Sequence, residues 1–294
     1  MPKTTPFLWF DDNAEEAANF YIKIFKDSEL INILRSPVDT PPNKAGKALT
    51  VNFMLNGQSF VALNGGAAFK PNPSISFYVT YNESTELENA WEYLSNEGFV
   101  LMPLDKYDWG ERYGWVQDKF GISWQLILDN GKEAEHKIIP MLMFCGAQQG
   151  KANEAIHFYT SVFKNSAIDK IFYYPEGQTK LDAKVVHAKF RLDSNIFMAM
   201  DSGVQQPFTF NEAISIVINC ETQDEIDYFW DMLTANGGKE SQCGWLKDRF
   251  GVSWQVVPIN IGRFFSNKDS EKSKRAMQSM MQMKKMIIAD LENA

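Results

Sequence analysis

The pattern of apolar and polar positions defines the first elements of the chain. Thr5–Phe10 is rich in strand-forming residues and ends at a polar turn, where Asn13 is placed to cap a helix. Two further strand-like runs, Thr50–Leu55 and Ser59–Leu63, flank Asn56-Gly57, the strongest short-range hairpin signal. Between the first strand and this hairpin, apolar residues recur with helical spacing at Ala14, Ala17, Ala18, Tyr21 and Ile22. This part of the chain therefore predicts a strand, a helix and a hairpin.

The same order of elements follows once more. Ser74–Thr80 predicts a strand, Glu86–Ser95 predicts a helix that ends near Gly98, and Tyr113–Gln117 with Ile122–Leu128 predicts a second hairpin. The helices are too few and the hairpins too many for a doubly wound parallel sheet. The predicted fold class is therefore α+β, built from modules that each contain a strand, a helix and a hairpin.

A long internal repeat divides the chain. The segment Trp115–Gln125, WVQDKFGISWQ, returns as Trp245–Gln255, WLKDRFGVSWQ, at an offset of 130 residues. Upstream, Trp91 returns as Trp230 at an offset of 139. The first copy therefore carries an insertion, which includes the aromatic and charged residues Lys106–Glu111. Chance would hardly produce such a match, so the chain contains the same unit twice.

The repeat predicts two tandem domains, residues 1–130 and 138–260, each with two modules. Residues 129–137 are polar and include Asn130-Gly131, which is typical of a linker. After Pro258 the chain changes character, and residues 261–294 form a separate tail. These boundaries follow from the repeat and from composition alone.

The tail predicts a C-terminal amphipathic helix over Ala276–Leu291. It carries seven basic and four acidic residues, whereas the rest of the chain is acidic. This opposition favours docking on the chain's own domains, or on a second copy in a homo-oligomer. An alternative is a Met-rich surface that accepts other partners. The apolar stripe consists of Ala276, Met280, Met283, Ile287 and Leu291.

Composition narrows the class of protein. The 294 residues carry a net charge of -8 and a pI near 5.1, whereas a duplex-binding protein needs a basic face. Nucleic acid is therefore not an expected partner. The sequence shows no signal peptide and no apolar run long enough for a membrane span, so we expect a cytoplasmic protein. Cys145, Cys220 and Cys243 lack metal-site spacing and are expected to be reduced thiols.

The repeated motif, together with Thr5–Phe10 and Phe20-Tyr21, resembles the PhnB-like branch of the vicinal oxygen chelate superfamily. This superfamily includes glyoxalase I, bleomycin-resistance proteins and extradiol dioxygenases, and the branch often carries the label 3-demethylubiquinone-9 3-methyltransferase. The resemblance covers residues 4–129 and 138–258. It implies paired βαβββ modules that curl into cupped mixed sheets, a small-molecule pocket in each cup, and pairing of the two domains within the chain.

The resemblance also gives the positions at which metal-binding members hold their ligands. On the first strand these positions fall at Pro6 and Pro140, and at the closing strand they fall at Gln125 and Gln255. The middle positions fall at Ser74 and Ala213. A divalent site needs three or four oxygen or imidazole ligands, so we expect no metal. The glycine-rich turn of an adenosylmethionine site is also missing, and we expect no cofactor.

The candidate ligand-binding residues share one property, a side chain suited to contact a planar molecule in a cup. The glutamines stand where the resemblance places inward-pointing ligands, and the tryptophans offer flat apolar walls. The candidates are Trp9, Asn64, Trp115, Gln125, His187, Trp245 and Gln255.

Catalytic residues remain unknown, with three candidates. His187 has a side chain that titrates near neutral pH and is a candidate general base. Cys243 would be a nucleophile if its pKa were lowered, and Asp201 is either a pocket acid or a turn residue. The structural alternative for each is an ordinary core or turn role.

Three functions remain open at this point. The favoured hypothesis is a metal-independent binder of a small aromatic or planar molecule. The alternative is an enzyme acting on such a substrate, either by the methyltransferase label of the family or as a lyase or dioxygenase if a metal is bound. The third hypothesis is a scaffold that recruits a partner through the C-terminal helix. Fold alone does not decide among them.

Overall fold

The structure, a computed structural model, describes residues 3–39, 44–129, 138–179, 181–193, 195–266 and 269–294. The predicted linker at 129–137 lies outside these ranges except for Asp129. Modules 1 and 2 contain β1 Thr4–Phe10, α1 Ala14–Ile24, β2 Glu29–Arg35, β3 Ala48–Leu55, β4 Gln58–Asn64, β5 Ile75–Tyr81, α2 Ser84–Ser95, β6 Phe99–Tyr107, β7 Gly110–Gln117 and β8 Ser123–Leu128.

The second copy repeats this order and is followed by the tail. Modules 3 and 4 and the tail contain β9 Ile138–Phe144, α3 Ala152–Val162, β10 Ala167–Tyr173, β11 Val185–Leu192, β12 Asn195–Asp201, β13 Ile214–Cys220, α4 Gln223–Thr234, β14 Lys239–Glu240, β15 Trp245–Lys247, β16 Ser253–Pro258, α5 Gly262–Phe265, α6 Ser270–Gln282 and α7 Ile288–Glu292. The α+β class is confirmed. No helix in the described ranges combines the length and the apolar character of a membrane span.

The sheets cross the boundary between the two copies. The first sheet has the order β14-β15-β16-β13-β1-β4-β3-β2 and joins module 1 to module 4, and the second has the order β10-β11-β12-β9-β5-β8-β7-β6 and joins module 3 to module 2. Phe7 lies opposite Ser215 where the halves of the first sheet meet, and Ser76 lies opposite Met141 in the second. Each cup therefore contains half of each repeat.

Both sheets curl strongly. Tyr78 on β5 and His187 on β11 are three strands apart, which is about 14 Å in a flat sheet. Their ring centroids lie 6.2 Å apart. In the first sheet, Trp9 on β1 and Trp245 on β15 are also three strands apart, with centroids at 5.9 Å. One face of each sheet is therefore a cup, in which side chains from distant strands meet.

The opposite faces of the two sheets enclose α1 to α4 and one continuous apolar core. Residues of both sheets meet there directly, since the rings of Phe60 on β4 and Phe77 on β5 lie 5.2 Å apart. Trp124 and Trp254, the second tryptophans of the repeated motif, are fully buried in this layer. Strand alternation sends these tryptophans to the core and the neighbouring glutamines to the cups.

Asp118 and Asp248 of the repeated motif are buried in this core and fix a helix to a turn. Asp118 accepts hydrogen bonds from Tyr21 Oη and Trp124 Nε1, both at 2.8 Å, and from two backbone N–H groups of its own turn. Asp248 has the same partners in the second copy, with Tyr159 Oη at 2.7 Å. Burial raises the pKa of both carboxyl groups to about 6, although the hydrogen bonds oppose this shift.

The tail docks on the first sheet, but not as the continuous helix that the sequence predicts. The helix ends at Gln282, and the non-helical residues 283–287, with a bend at 284–285, separate α6 from α7. The backbone N–H groups of Cys243 and Gly244 donate to the carbonyls of Met283 and Lys284 at 2.8 and 2.7 Å. The Gln223 side chain also donates to the backbone of this non-helical segment, at Met286 O. Competition from these tertiary hydrogen bonds explains why helical propensity is overridden.

The tail also crosses the mouth of the first cup. Phe265, Ala276 and Met277 pack on Leu34 and Leu49 of β2 and β3, at one end of the sheet. Near the other end, the tail carbonyls of Met283 and Lys284 accept hydrogen bonds from the residues just before β15. These ends are about 29 Å apart in a flat sheet, whereas the 13 residues of α6 span about 20 Å. The tail can therefore reach both only by lying across the curled sheet.

The two copies differ most at the hairpin that carries the insertion. In the first copy β6 and β7 have nine and eight residues, whereas β14 and β15 in the second have two and three. At the position of the shorter hairpin the chain adds its own tail, and Met286 there is fully buried. The apolar stripe predicted in the tail is thus used for docking within the chain.

We expect Asp118 and Asp248 to make stability fall as the pH rises. Because folding raises the pKa of each, their stabilisation is complete below about pH 4 and is lost as the pH passes through about 6. Asp248→Asn removes one such group. In urea unfolding, the free energy of unfolding of the wild type minus that of the variant should fall by about 2 kcal/mol between pH 4 and 7. An advantage that grows with pH would contradict the raised pKa.

The tail contact can be tested by a pair of methionines. Met286 is fully buried and Met281 is 42% exposed. Met286→Ala should lower the free energy of unfolding by about 2–4 kcal/mol, because a cavity remains in the contact. Met281→Ala should change it by no more than about 0.5 kcal/mol. Urea unfolding of both variants measures this, and equal effects would show that the tail is not docked as described.

Candidate functional site

The first cup is lined mainly by aromatic and aliphatic side chains. Trp9 packs on Gly65, where an added Cβ would lie 2.2 Å from its ring, and its Nε1 donates to Gly66 O at 2.6 Å. The ring of Trp245 contacts both Trp9 and Phe7, edge to face. These contacts fix the indoles against one another. With the tail across its mouth, this cup is occupied by the chain's own side chains.

Gln255 is the main polar group of the first cup. It lies opposite Trp245 in the sheet, it is buried, and its Nε2 donates to Ser215 Oγ at 2.9 Å. Of the predicted ligand-binding residues, the structure therefore brings Trp9, Trp245 and Gln255 together. They come from different copies of the repeat, which the sequence did not predict.

The second cup brings together Trp115, Gln125 and His187, the other three of the predicted ligand-binding residues that reach a cup. Gln125 donates to Ser76 Oγ and accepts from Tyr113 Oη, both at 2.8 Å. Trp115 lies opposite Gln125, and its Nε1 donates to Ser123 Oγ at 2.7 Å. The amide of Gln125 is thereby held in one orientation at the centre of the cup.

An aromatic row crosses the second cup. Tyr78 lies beside Gln125 in the parallel pairing of β5 with β8, and its ring meets His187 on the far wall. Tyr78 and Tyr107 both raise the pKa of Tyr113, to which burial contributes most. Burial also raises the pKa of Tyr78. Both phenols near the cup centre therefore stay protonated and can donate hydrogen bonds.

The floor of the second cup is rich in methionine. Met141 and Met198 lie side by side on β9 and β12 and are buried with Ile139. Met200, Ile196 and Tyr78 are partly buried and pack on them. In the described ranges, every residue of this cluster belongs to the strands of the second sheet. No tail segment is part of it.

His187 lies on the wall of this cup and is ionisable. It lies opposite Phe172 on β10 and next to Lys189 along the cup face of β11. Burial lowers its pKa, and the charge of Lys189 lowers it further. The imidazole is therefore neutral at pH 7, so one ring nitrogen can accept a hydrogen bond or a proton.

The structure corrects the positions expected for metal ligands. Pro6 lies opposite Ile216 and faces the helices, whereas Phe7 and Ser215 face the first cup beside Gln255. In the second cup the corresponding residues are Met141, Ser76 and Gln125. A serine, an amide and an apolar side chain do not fit a divalent ion. Among the described residues, no group of three His, Cys, Asp or Glu side chains is placed to hold a metal.

Asn64 and Asp201 do not line either cup. Asn64 Oδ1 accepts from Ala14 N at 2.9 Å, and Asp201 Oδ1 accepts from Ala152 N at 3.0 Å, so both cap the first turn of a helix. Asp201 also accepts two backbone hydrogen bonds at the start of β11. Asn64 thus performs the capping that the sequence assigned to Asn13, whose side chain makes no cap hydrogen bond. Neither residue is available to a ligand.

Cys243 is not an activated nucleophile. It lies in the turn before β15 with a left-handed backbone, and its Sγ is 3.7 Å from Met280 O in the tail. Burial raises the pKa of the thiol, which is the opposite of what a reactive thiolate requires. Its part in the molecule is to hold the tail.

The sequence analysis missed most of the second cup. Tyr78, Ser76, Met141, Met198 and Met200 were not singled out. The available signal was alternation, since methionine occupies alternate positions on β9 and again on β12. Which face these residues occupy depends on the pairing across the two copies, and that pairing was not predicted.

Comparison with known proteins follows this geometry. A family model described as 3-demethylubiquinone-9 3-methyltransferase matches residues 2–127 and 136–257. The PhnB protein of Bacillus cereus is 38% identical, over 42% of this chain and 98% of that chain, with a TM-score of 0.40. An uncharacterised protein of Mycobacterium bovis is 31% identical over 42% of this chain and 82% of its own length. Each of these relatives matches less than half of this chain.

A match over most of the chain is seen in fold. Glyoxalase I from Zea mays covers 95% of this chain and 97% of its own, with a TM-score of 0.52 and 13% identity. This likeness concerns the arrangement of the two sheets and not the chemistry. The family model covers well over half of the chain, in the two regions that the repeat defines. The chain belongs to the 3-demethylubiquinone-9 3-methyltransferase family, is PhnB-like, and carries two tandem copies of the family's unit.

Proposed function

We propose that this protein binds a small, largely apolar and planar molecule in the second cup, without a metal. The observation that carries this proposal is the row of Tyr78, His187, Tyr113 and Gln125 above a methionine floor. Ligand sites are mostly apolar with a few convergent polar groups, and this row has that composition. The comparisons support the family and the fold, and the ligand is our own inference.

The methionine floor supports binding rather than a purely structural role. Met141, Met198 and Met200 are unbranched, and their side chains can repack around a guest without strain on the backbone. The fixed polar group is Gln125, held by Ser76 and Tyr113, and Tyr78 lies beside it in the sheet. A planar molecule would be held by adaptable apolar contacts and oriented by these few polar atoms.

The first cup is the structural copy in this proposal. Its indoles pack on one another, and α6 lies across its mouth. A ligand there would have to displace the tail and its buried Met286. One ligand per chain is therefore expected.

The three free cysteines in the described structure fit a reducing compartment, and we propose a cytoplasmic location on this basis.

An enzyme that uses His187 is the second candidate. Its imidazole is neutral near pH 7 and lies in the cup, as a general base requires. Such an enzyme would act on a small aromatic or planar substrate. Turnover lost in His187→Gln with binding retained would favour this candidate over simple binding.

His187 should titrate below the ordinary value for histidine. Burial and Lys189 both lower its pKa from 6.5. NMR titration of the imidazole should therefore show a midpoint below 6.5. In Lys189→Asn the midpoint should move upward but stay below the ordinary value, because the ring remains buried. A midpoint above 6.5 in the wild type would place His187 outside the cup.

Binding to the second cup can be tested with N-phenyl-1-naphthylamine, a neutral planar fluorophore. Met200 and Leu63 occupy corresponding positions in the two cups, each one residue before a helix-capping side chain. Met200→Trp should fill the second cup and weaken binding of the fluorophore at least about tenfold, or about 1.4 kcal/mol. Leu63→Trp is the matched control and should leave binding unchanged.

Fluorescence titration gives the affinity and the stoichiometry, and thermal unfolding checks that both variants fold. A wild type that does not bind the fluorophore would contradict the proposal. Loss of binding in Leu63→Trp alone would assign the site to the first cup and would also contradict it.

A further inference from the structure

Two lysines lie directly opposite each other on the wall of the second cup. Lys170 on β10 pairs with Lys189 on β11, next to the pair formed by Phe172 and His187. Both pairs lie on the cup face, because Ile171 and Ala188 between them face the core. Like charges directly opposite in a sheet are destabilising. The fold therefore tolerates an unfavourable pair at this place.

Neither lysine is neutralised within the part of the chain that the structure describes. Lys170 Nζ lies 4.4 Å from the ring centroid of Phe172, and neither ammonium forms an ion pair with a described carboxylate. The next basic residue on the same face, Arg191, is by contrast paired with Asp169 at 3.1 Å. Positive charge thus remains available at the wall, although the chain as a whole has a net charge of -8.

In the first sheet, the position that corresponds to the lysine pair holds two neutral residues. Asn32 and Asn52 occupy the corresponding pair on β2 and β3, next to the same irregularity in register. The Nδ2 of Asn52 donates to Oδ1 of Asn32 at 2.8 Å, so this pair is satisfied internally. The cup closed by the tail carries a neutral, self-satisfied pair. The cup without a tail carries two cations that form no ion pair with any carboxylate in the described ranges.

We infer that the ligand of the second cup is an organic anion, with a planar apolar body and an acidic group held between Lys170 and Lys189. This inference rests on the proposed function and names the ligand class of the same site. The apolar body lies on the methionine floor against Tyr78, and the acidic group reaches the wall. The anion relieves the repulsion between the two ammonium groups, which the fold alone leaves uncompensated.

A matched pair of fluorophores separates the two parts of this inference. 1-Anilinonaphthalene-8-sulfonate has the ring system of N-phenyl-1-naphthylamine and adds one anionic group. The measured quantity is the ratio of their affinities for the wild type, for Lys170→Asn/Lys189→Asn, and for the control Lys23→Asn/Lys239→Asn. The first double variant installs the pair that the first sheet already contains, so folding is expected. The control removes the same charge at exposed residues outside the second sheet.

The measured ratio is the affinity for the sulfonate divided by the affinity for the neutral fluorophore. In the wild type and the control this ratio should be at least about tenfold higher than in Lys170→Asn/Lys189→Asn. Binding of the neutral fluorophore should be the same in all three, and added salt should weaken only the sulfonate. An unchanged ratio in the cup variant would overturn the anion inference while leaving the cup as a binding site. Sulfonate binding that persists in Met200→Trp would place the dye elsewhere and overturn both.

Discussion

Each repeat buries one carboxyl group where two of its modules meet, Asp118 in the first copy and Asp248 in the second. A charge in an apolar interior is costly unless hydrogen bonds surround it, and each of these carboxylates accepts four. The bonds tie Tyr21 of module 1 to the β7–β8 turn of module 2, and Tyr159 to the corresponding turn of module 4. Strand pairing joins modules of different repeats. The hydrogen bonds of the two aspartates act within a repeat and the strand pairing acts between repeats, so each sheet is complete only when both repeats are present.

This crossed arrangement gives two cups that differ in composition. Each cup contains one Ser–Gln pair, which is Ser215 with Gln255 in the first cup and Ser76 with Gln125 in the second. This pair comes from one repeat, and the other half of the cup comes from the other repeat. That other half brings Phe7 and Trp9 to the first cup and methionines to the second. The first copy keeps the long β6–β7 hairpin beside the second cup, and the tail lies beside the first. Side chains of the first cup are thus part of the main core, whereas those of the second form a separate methionine-rich cluster.

Local signals in the sequence were sufficient for the elements but not for the site. The Asn56-Gly57 hairpin and the second hairpin, Tyr113–Gln117 with Ile122–Leu128, follow from neighbouring residues, and the structure has both of them. The helix predicted over Ala276–Leu291 ends at Gln282 because Cys243 and Gly244, far away in sequence, bond the backbone that follows it. Asn64 was placed in a pocket because a polar residue at a strand end has the same appearance whether it caps a helix or faces a ligand. Partners distant in sequence decide such cases, and a single sequence does not show them.

The polar residues of the second cup are best explained together. Gln125 alone would be a satisfied core amide, since Ser76 and Tyr113 bond it. His187 alone would be a buried strand histidine beside Tyr78. The opposed lysines do not fit such structural roles, because the asparagine pair of the first sheet shows a stable neutral solution at the same register. A protein that needed only a folded second sheet would gain stability from that solution. In our proposal, an anion between Lys170 and Lys189 offsets the cost of this opposition, and the charge on the wall and the methionine floor serve one binding site.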